Sequence, residues 1–164
     1  MRLALKWFVP ITLIAMCLAW ISEQIALLLG FQPPPQDLVK LFTDPKVAWQ
    51  VKAKYAAIAV ILAPLIEELI FRMGLFKLCI WGGRKIRKVS HATSEFPLIS
   101  ACVSGAVFAA VHLHVATFLP LWFLGVAFAW LYWKSGAIWS SIICHFLFNL
   151  INLLICLLIS ENIT

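Results

Sequence analysis

The stretch FPLISACVSGAVFAAVHLHVATFLPLWFLGVAFAWLYW, residues 96–133, runs for 38 residues without one Asp, Glu, Lys or Arg. A helix needs about 20 residues to cross the hydrocarbon core of a bilayer. The stretch therefore reads as two membrane-spanning helices, with the break expected near Pro120. Working outward, Lys134-Ser135-Gly136 makes a turn, and Ser135 to Ser160 is a further uncharged run. Upstream, Tyr55 to Trp81 is an apolar span interrupted by Glu67, Glu68 and Arg72. Gly82-Gly83 is its expected end, and the basic run Arg84-Lys85-Ile86-Arg87-Lys88 follows. No residue from Trp7 to Ser22 is charged, and the apolar character continues to Leu29, with Gly30 and Pro33-Pro34-Pro35 as stop signals. Between these spans lies a mixed polar segment, residues 31–54, where Val39 to Phe42 makes one interfacial turn. The pattern predicts an all-α, polytopic membrane helix bundle of about five transmembrane helices, in a single membrane domain over residues 1–164.

Composition agrees. The 164 residues are 63% apolar and 12% charged, and the mean hydropathy is +0.98. Soluble domains are roughly 45–50% apolar and about 25% charged. A soluble enzyme, a disordered tail and a nucleic-acid-binding domain are excluded on that ground; the bilayer is the main partner. The net charge of +6 reads as basic loops facing the cytoplasm. With five spans, Arg2, Lys6, Lys77, Arg84, Lys85, Arg87, Lys88 and Lys134 fall on one side. Lys40, Lys46, Lys52 and Lys54 fall on the other, which puts the N-terminus in the cytoplasm. The first apolar run is read as a retained helix, because no small-x-small cleavage site follows it. The five cysteines lie in apolar stretches and form no CxxC pair, so they are expected as free buried thiols.

Inside lipid every polar group asks for an explanation. Glu68 and Arg72 are four residues apart and share a helix face, so they are expected to pair. Glu67 is turned about 100° from Glu68 and is left as the carboxylate free to act as a general base. His112 lies in the third span, and His145 and Asn149, again i and i+4, lie in the fifth. All are expected in the middle of their helices, facing one interior. Polar glue between helices would account for one His or Asn; two carboxylates, an Arg, two His and an Asn exceed that need. Glu67, His112 and His145 suit activation of a water. The same three also suit a divalent metal such as zinc, as a two-His-one-carboxylate set. Spacing does not choose between the two, and no cofactor is firmly implied. His114 is read as an interface or packing group, His91 as solvated beside the basic loop, Glu23 and Gln24 as interfacial, and Asn152 as a further candidate for the cavity. Two other functional classes fit a polar bundle. One is a non-catalytic membrane peptide-binding or bacteriocin-immunity protein. The other is a small proton-coupled transporter, for which the repeated halves are missing.

Glu67-Glu68-x-x-x-Arg72, Phe108-x-x-x-His112 and His145-x-x-x-Asn149, in this order over about residues 60–150, resemble the CPBP family. That family comprises the CAAX prenyl proteases and bacteriocin-processing enzymes, also called the Abi family. The resemblance implies an intramembrane endopeptidase, labelled glutamic or metalloprotease, acting on a protein or peptide with a membrane-associated terminus. The substrate would carry a CAAX end, a C-terminal sorting signal or a bacteriocin leader. The resemblance implies that Glu67 and His112 activate a water, that His145 and Asn149 stabilise the oxyanion, and that Glu68, Arg72 and Phe108 support them. It also suggests a bacterial inner membrane. The chain is shorter than the prenyl proteases and reads as their core.

Overall fold

A computed structural model describes residues 1–32, 37–87 and 96–161. Among them every regular element is helical. Helix α1 is Arg2–Leu28 and α2 is the short Asp37–Thr43. Helix α3 runs through residues 49–87, α4 is Leu98–Ala110, α5 is Phe118–Ser135 and α6 is Trp139–Glu161. A single 3-10 turn, Val115–Thr117, leads into α5. The expected His91 and the triple proline, residues 33–35, lie outside the described residues.

Among the described residues, three segments are long and apolar enough to cross a membrane: Arg2–Leu28, Val115–Ser135 and Trp139–Leu158. Their outer faces carry large apolar side chains, among them Leu5, Leu13, Trp20, Trp139 and Leu158, as lipid requires. Helix α4 is equally apolar but has 13 residues, about 20 Å at 1.5 Å per residue. Helix α3 has the length to cross but carries Glu67, Glu68 and Arg72 within it. The chain is thus an all-α bundle and an integral membrane protein.

Two boundaries differ from expectation. The break in the 96–133 stretch falls at residues 111–117, not near Pro120. Leu113 adopts φ +53°, which reverses the chain directly after α4. Pro120 sits instead in the first turn of α5, where its missing N–H leaves no intrahelical bond unmade. Gly82 and Gly83 do not end α3; the helix continues to Arg87. Glycine weakens a helix by about 1 kcal/mol but obstructs nothing, so the run up to Arg87 carries the helix through.

Helix α5 is central. On one side Ala4, Ile11 and Ala15 of α1 and Cys144 of α6 pack against Leu124, Phe128 and Leu131. On the other, Phe76 of α3 and Ala101 of α4 pack against Ala129. Helices α4 and α5 touch backbone to backbone: a Cβ on Gly125 would lie 2.6 Å from the Gly105 Cα. Small residues permit such approach where lipid offers no hydrophobic drive between helices. Trp122 Nε1–H adds a bond to the Cys102 carbonyl at 3.0 Å.

Candidate active site

The two glutamates lie on one turn of α3, Ala63–Glu68, between two π-helical stretches, Ile58–Leu62 and Leu69–Phe76. The first stretch has a local cause. The Ala63 N–H reaches back five residues to the Ile58 carbonyl. The next donor in that pattern would be residue 64, which would bond Ala59, but Pro64 has no N–H. The Ala59 carbonyl instead accepts the Asn149 Nδ2–H from α6 at 2.9 Å. A side chain from another helix thus replaces the bond that the proline cannot make.

Arg72 pairs with Glu68, as their spacing predicts. Nε lies 2.9 Å from Oε2 and Nη2 lies 3.4 Å from Oε1, and both side chains are fully buried. The guanidinium carbon is 5.3 Å from the centre of the Phe108 ring and 5.9 Å from that of Phe128. Desolvation of this kind is tolerable for two charges only as a matched, hydrogen-bonded pair.

His145 lies between the two carboxylates. A carboxylate oxygen accepts, so Nδ1–H donates to Glu68 Oε1 at 3.1 Å. Its other nitrogen, Nε2, lies 3.7 Å from Glu67 Oε2. The ring stacks on Phe128 at 4.9 Å and meets the edge of Phe108 at 5.9 Å, which fixes its plane. Arg72, Glu68, His145 and Glu67 thus form a single chain of polar contacts. The Glu67 side chain is 28% exposed while Glu68 and Arg72 are at 0%. Glu67 is therefore where this chain meets the outside.

His112 is not where the sequence pattern put it. It was expected mid-helix and facing Glu67, but α4 ends at Ala110 and the residue is exposed. Its Nδ1–H donates to the Phe108 carbonyl at 2.8 Å, satisfying an acceptor that the helix end leaves open. That bond leaves Nε2 as the nitrogen available to accept. The ring meets Phe108 edge-on at 4.9 Å, so His112 joins the cluster through Phe108. Asn149 likewise touches α3 at Ala59 rather than at the glutamates.

The zinc set of Glu67, His112 and His145 is not assembled. Among the described residues no three His, Cys, Asp or Glu side chains come together to hold a metal ion. Glu68, the other carboxylate in contact with His145, is already committed to Arg72 and His145 Nδ1. The cysteines are free. Asn152 is exposed and bonds its own helix at the Phe148 carbonyl, so it does not line the site. An apolar cleft between α1 and α5, lined by Trp7, Ile14, Phe123 and Trp130 among others, contains none of the polar cluster.

Sequence reasoning missed Ser104 and Phe128. Ser104, fully buried, donates its hydroxyl proton to the Phe71 carbonyl of α3 at 3.2 Å. Its signal was its position, one turn before Phe108 on the same face of α4. Phe128 is one apolar residue in an apolar helix, and nothing marked it.

A family model described as type II CAAX prenyl endopeptidase Rce1-like matches residues 49–151, more than half of the chain. No individual curated protein and no solved structure matches it. The matched segment holds all three motifs and begins with α3. The chain belongs to the Rce1-like family of type II CAAX prenyl endopeptidases and is, in general terms, a CAAX-type intramembrane endopeptidase.

Proposed function

We propose that this protein hydrolyses a peptide bond near the end of a membrane-associated protein, with Glu67 as general base and no metal ion in the step. The observation that carries the reading is the 3.7 Å separation of Glu67 Oε2 and His145 Nε2. It is longer than a hydrogen bond, yet short enough for one oxygen atom to bond both. A water held there gives its proton to Glu67 as its oxygen attacks the scissile carbonyl. His145, protonated at Nε2, donates to the oxygen that becomes negative. The second Nδ2 hydrogen of Asn149 is assigned to the same oxyanion, and the His112 Nε2 lone pair to the attacking water from the α4 side. Glu67 then returns the proton to the leaving amine. Glu68 and Arg72 keep the Nδ1–H of His145 engaged, so that Nε2 is the nitrogen that faces the reaction.

The substrate end is a CAAX motif, a C-terminal sorting signal or a peptide leader, presented from the cytoplasmic side of a bacterial inner membrane. The test is Glu67→Gln, which preserves size and hydrogen bonding and removes basicity. Mass spectra of membrane-protein termini should show normal processing by wild type and none by the variant, at equal folded yield. Processing by Glu67→Gln at the wild-type rate ends the proposal.

A further inference from the structure

The turn that carries Glu67 and Glu68 is bracketed by π-helical stretches, and each is held by a side chain from another helix. Asn149 bonds the Ala59 carbonyl ahead of it, and Ser104 bonds the Phe71 carbonyl behind it. An inserted residue of the π kind turns everything beyond it by about 100° relative to an unbroken α-helix. A rotation of that size decides whether a side chain on α3 faces α6 or faces lipid. A helical serine surrounded by apolar side chains ordinarily returns its proton to a carbonyl of its own helix. Ser104 instead reaches α3, to the residue immediately before Arg72. Phe71 also meets Phe108, one turn along from Ser104, edge-on at 5.2 Å.

We propose that Ser104 is a positioning residue for the peptidase reaction: its hydroxyl holds the Leu69–Phe76 stretch in its π form, and so keeps Arg72 and Glu68 where they orient His145. The inference rests on the reading of Glu67 and His145 as the working pair. Ser104 touches neither of them and acts through the backbone of α3.

The test uses the full chain purified in detergent, a farnesylated reporter peptide ending in a CAAX sequence, and NMR of ring-15N-labelled histidine. The His145 Nδ1–H signal is assigned by its loss in His145→Asn. Ser104→Ala is expected to lower kcat by about 10- to 100-fold, to leave KM within about twofold, and to shift the His145 signal. Ser104→Thr, which keeps the hydroxyl, should restore both. Ser104→Cys keeps the volume with a much weaker donor and serves if the alanine variant does not fold; it should behave as alanine does. A folded Ala or Cys variant with wild-type kcat and an unmoved His145 signal overturns the proposal. Where wild type leaves the reporter uncut, the peptidase reading for such substrates fails on its own. A shifted His145 signal in the Ser104 variants then still supports the positioning role, and an unshifted one overturns it.

Discussion

Arg72 is the residue on which the buried charges depend. Its guanidinium sits between two aromatic rings and gives Glu68 its matching charge at no exposure to solvent. Removing it leaves the Glu68 carboxylate buried without the two-point guanidinium contact that balances it, and with only His145 beside it. Arg72→Ala should therefore lose roughly 3–5 kcal/mol of stability, and folded protein with it. Arg72→Lys should recover only part, since a single ammonium replaces a two-point contact. Thermal unfolding of the detergent-purified variants decides this; an alanine variant that unfolds like wild type contradicts it. The pair was legible in the sequence because both partners sit on one helix, where spacing is geometry. The bond of His145 to Glu68 was not, because it joins residues 77 apart in the chain. No periodicity within a helix encodes which neighbour a side chain meets across an interface. The sequence pattern therefore marked Glu67, Glu68, Arg72 and His145 as one group. The resemblance implies an oxyanion role for His145, and Glu67 was expected to face it; the contact of His145 Nδ1 with Glu68 was not.

At the scale of the element, what the sequence hid is backbone irregularity. The 96–133 stretch was rightly divided into two helices, but Pro120 drew the break toward itself. The chain turns instead at Leu113, a residue with no turn signal, held at φ +53° and 91% exposed. That conformation costs a residue with a Cβ about 1–2 kcal/mol, and glycine very little. The turn also decides where His112 stands, since it ends α4 just before that residue's ring bonds the Phe108 carbonyl. Leu113→Gly removes the strain and forfeits few contacts, against a larger loss of chain entropy on folding. The net gain should be up to about 1 kcal/mol, a rise of about 2–4 °C in Tm for a chain of this size. Leu113→Pro should do the reverse, because proline cannot take a positive φ and cannot give the N–H that Leu113 donates to the Ala110 carbonyl. A fall in Tm for the glycine variant would show that the turn is not strained. The π stretches of α3 were hidden for a similar reason. Pro64 pointed to a local disturbance, but the donor that completes it, Asn149, comes from the far end of the chain.

For the whole molecule, the contact of α4 with α5 at Gly105 and Gly125 sets the width of the site. Phe108 lies three residues beyond Gly105, and Phe128 three beyond Gly125, so both rings stand one turn from the point where the backbones touch. Those rings hold the Arg72 guanidinium and the His145 imidazole in place. A methyl group on Gly125 would meet the Gly105 Cα at 2.6 Å and its carbonyl oxygen at 3.3 Å. Backbone atoms cannot swing aside as a side chain can, so the helices must separate. Gly125→Ala should then cost roughly 1–3 kcal/mol and lower kcat, because the Phe108–Phe128 spacing widens with the helices. Gly82→Ala is the matched comparison. Gly82 also lies within a helix, but a Cβ there meets nothing within 4 Å. Removing the helix penalty of glycine should make that variant neutral or more stable by about 0.5–1 kcal/mol. Thermal unfolding and cleavage of the same reporter peptide, measured on both variants, separate close packing at the crossing from a general effect of glycine replacement. If Gly125→Ala matches Gly82→Ala in both, the crossing does not set the site.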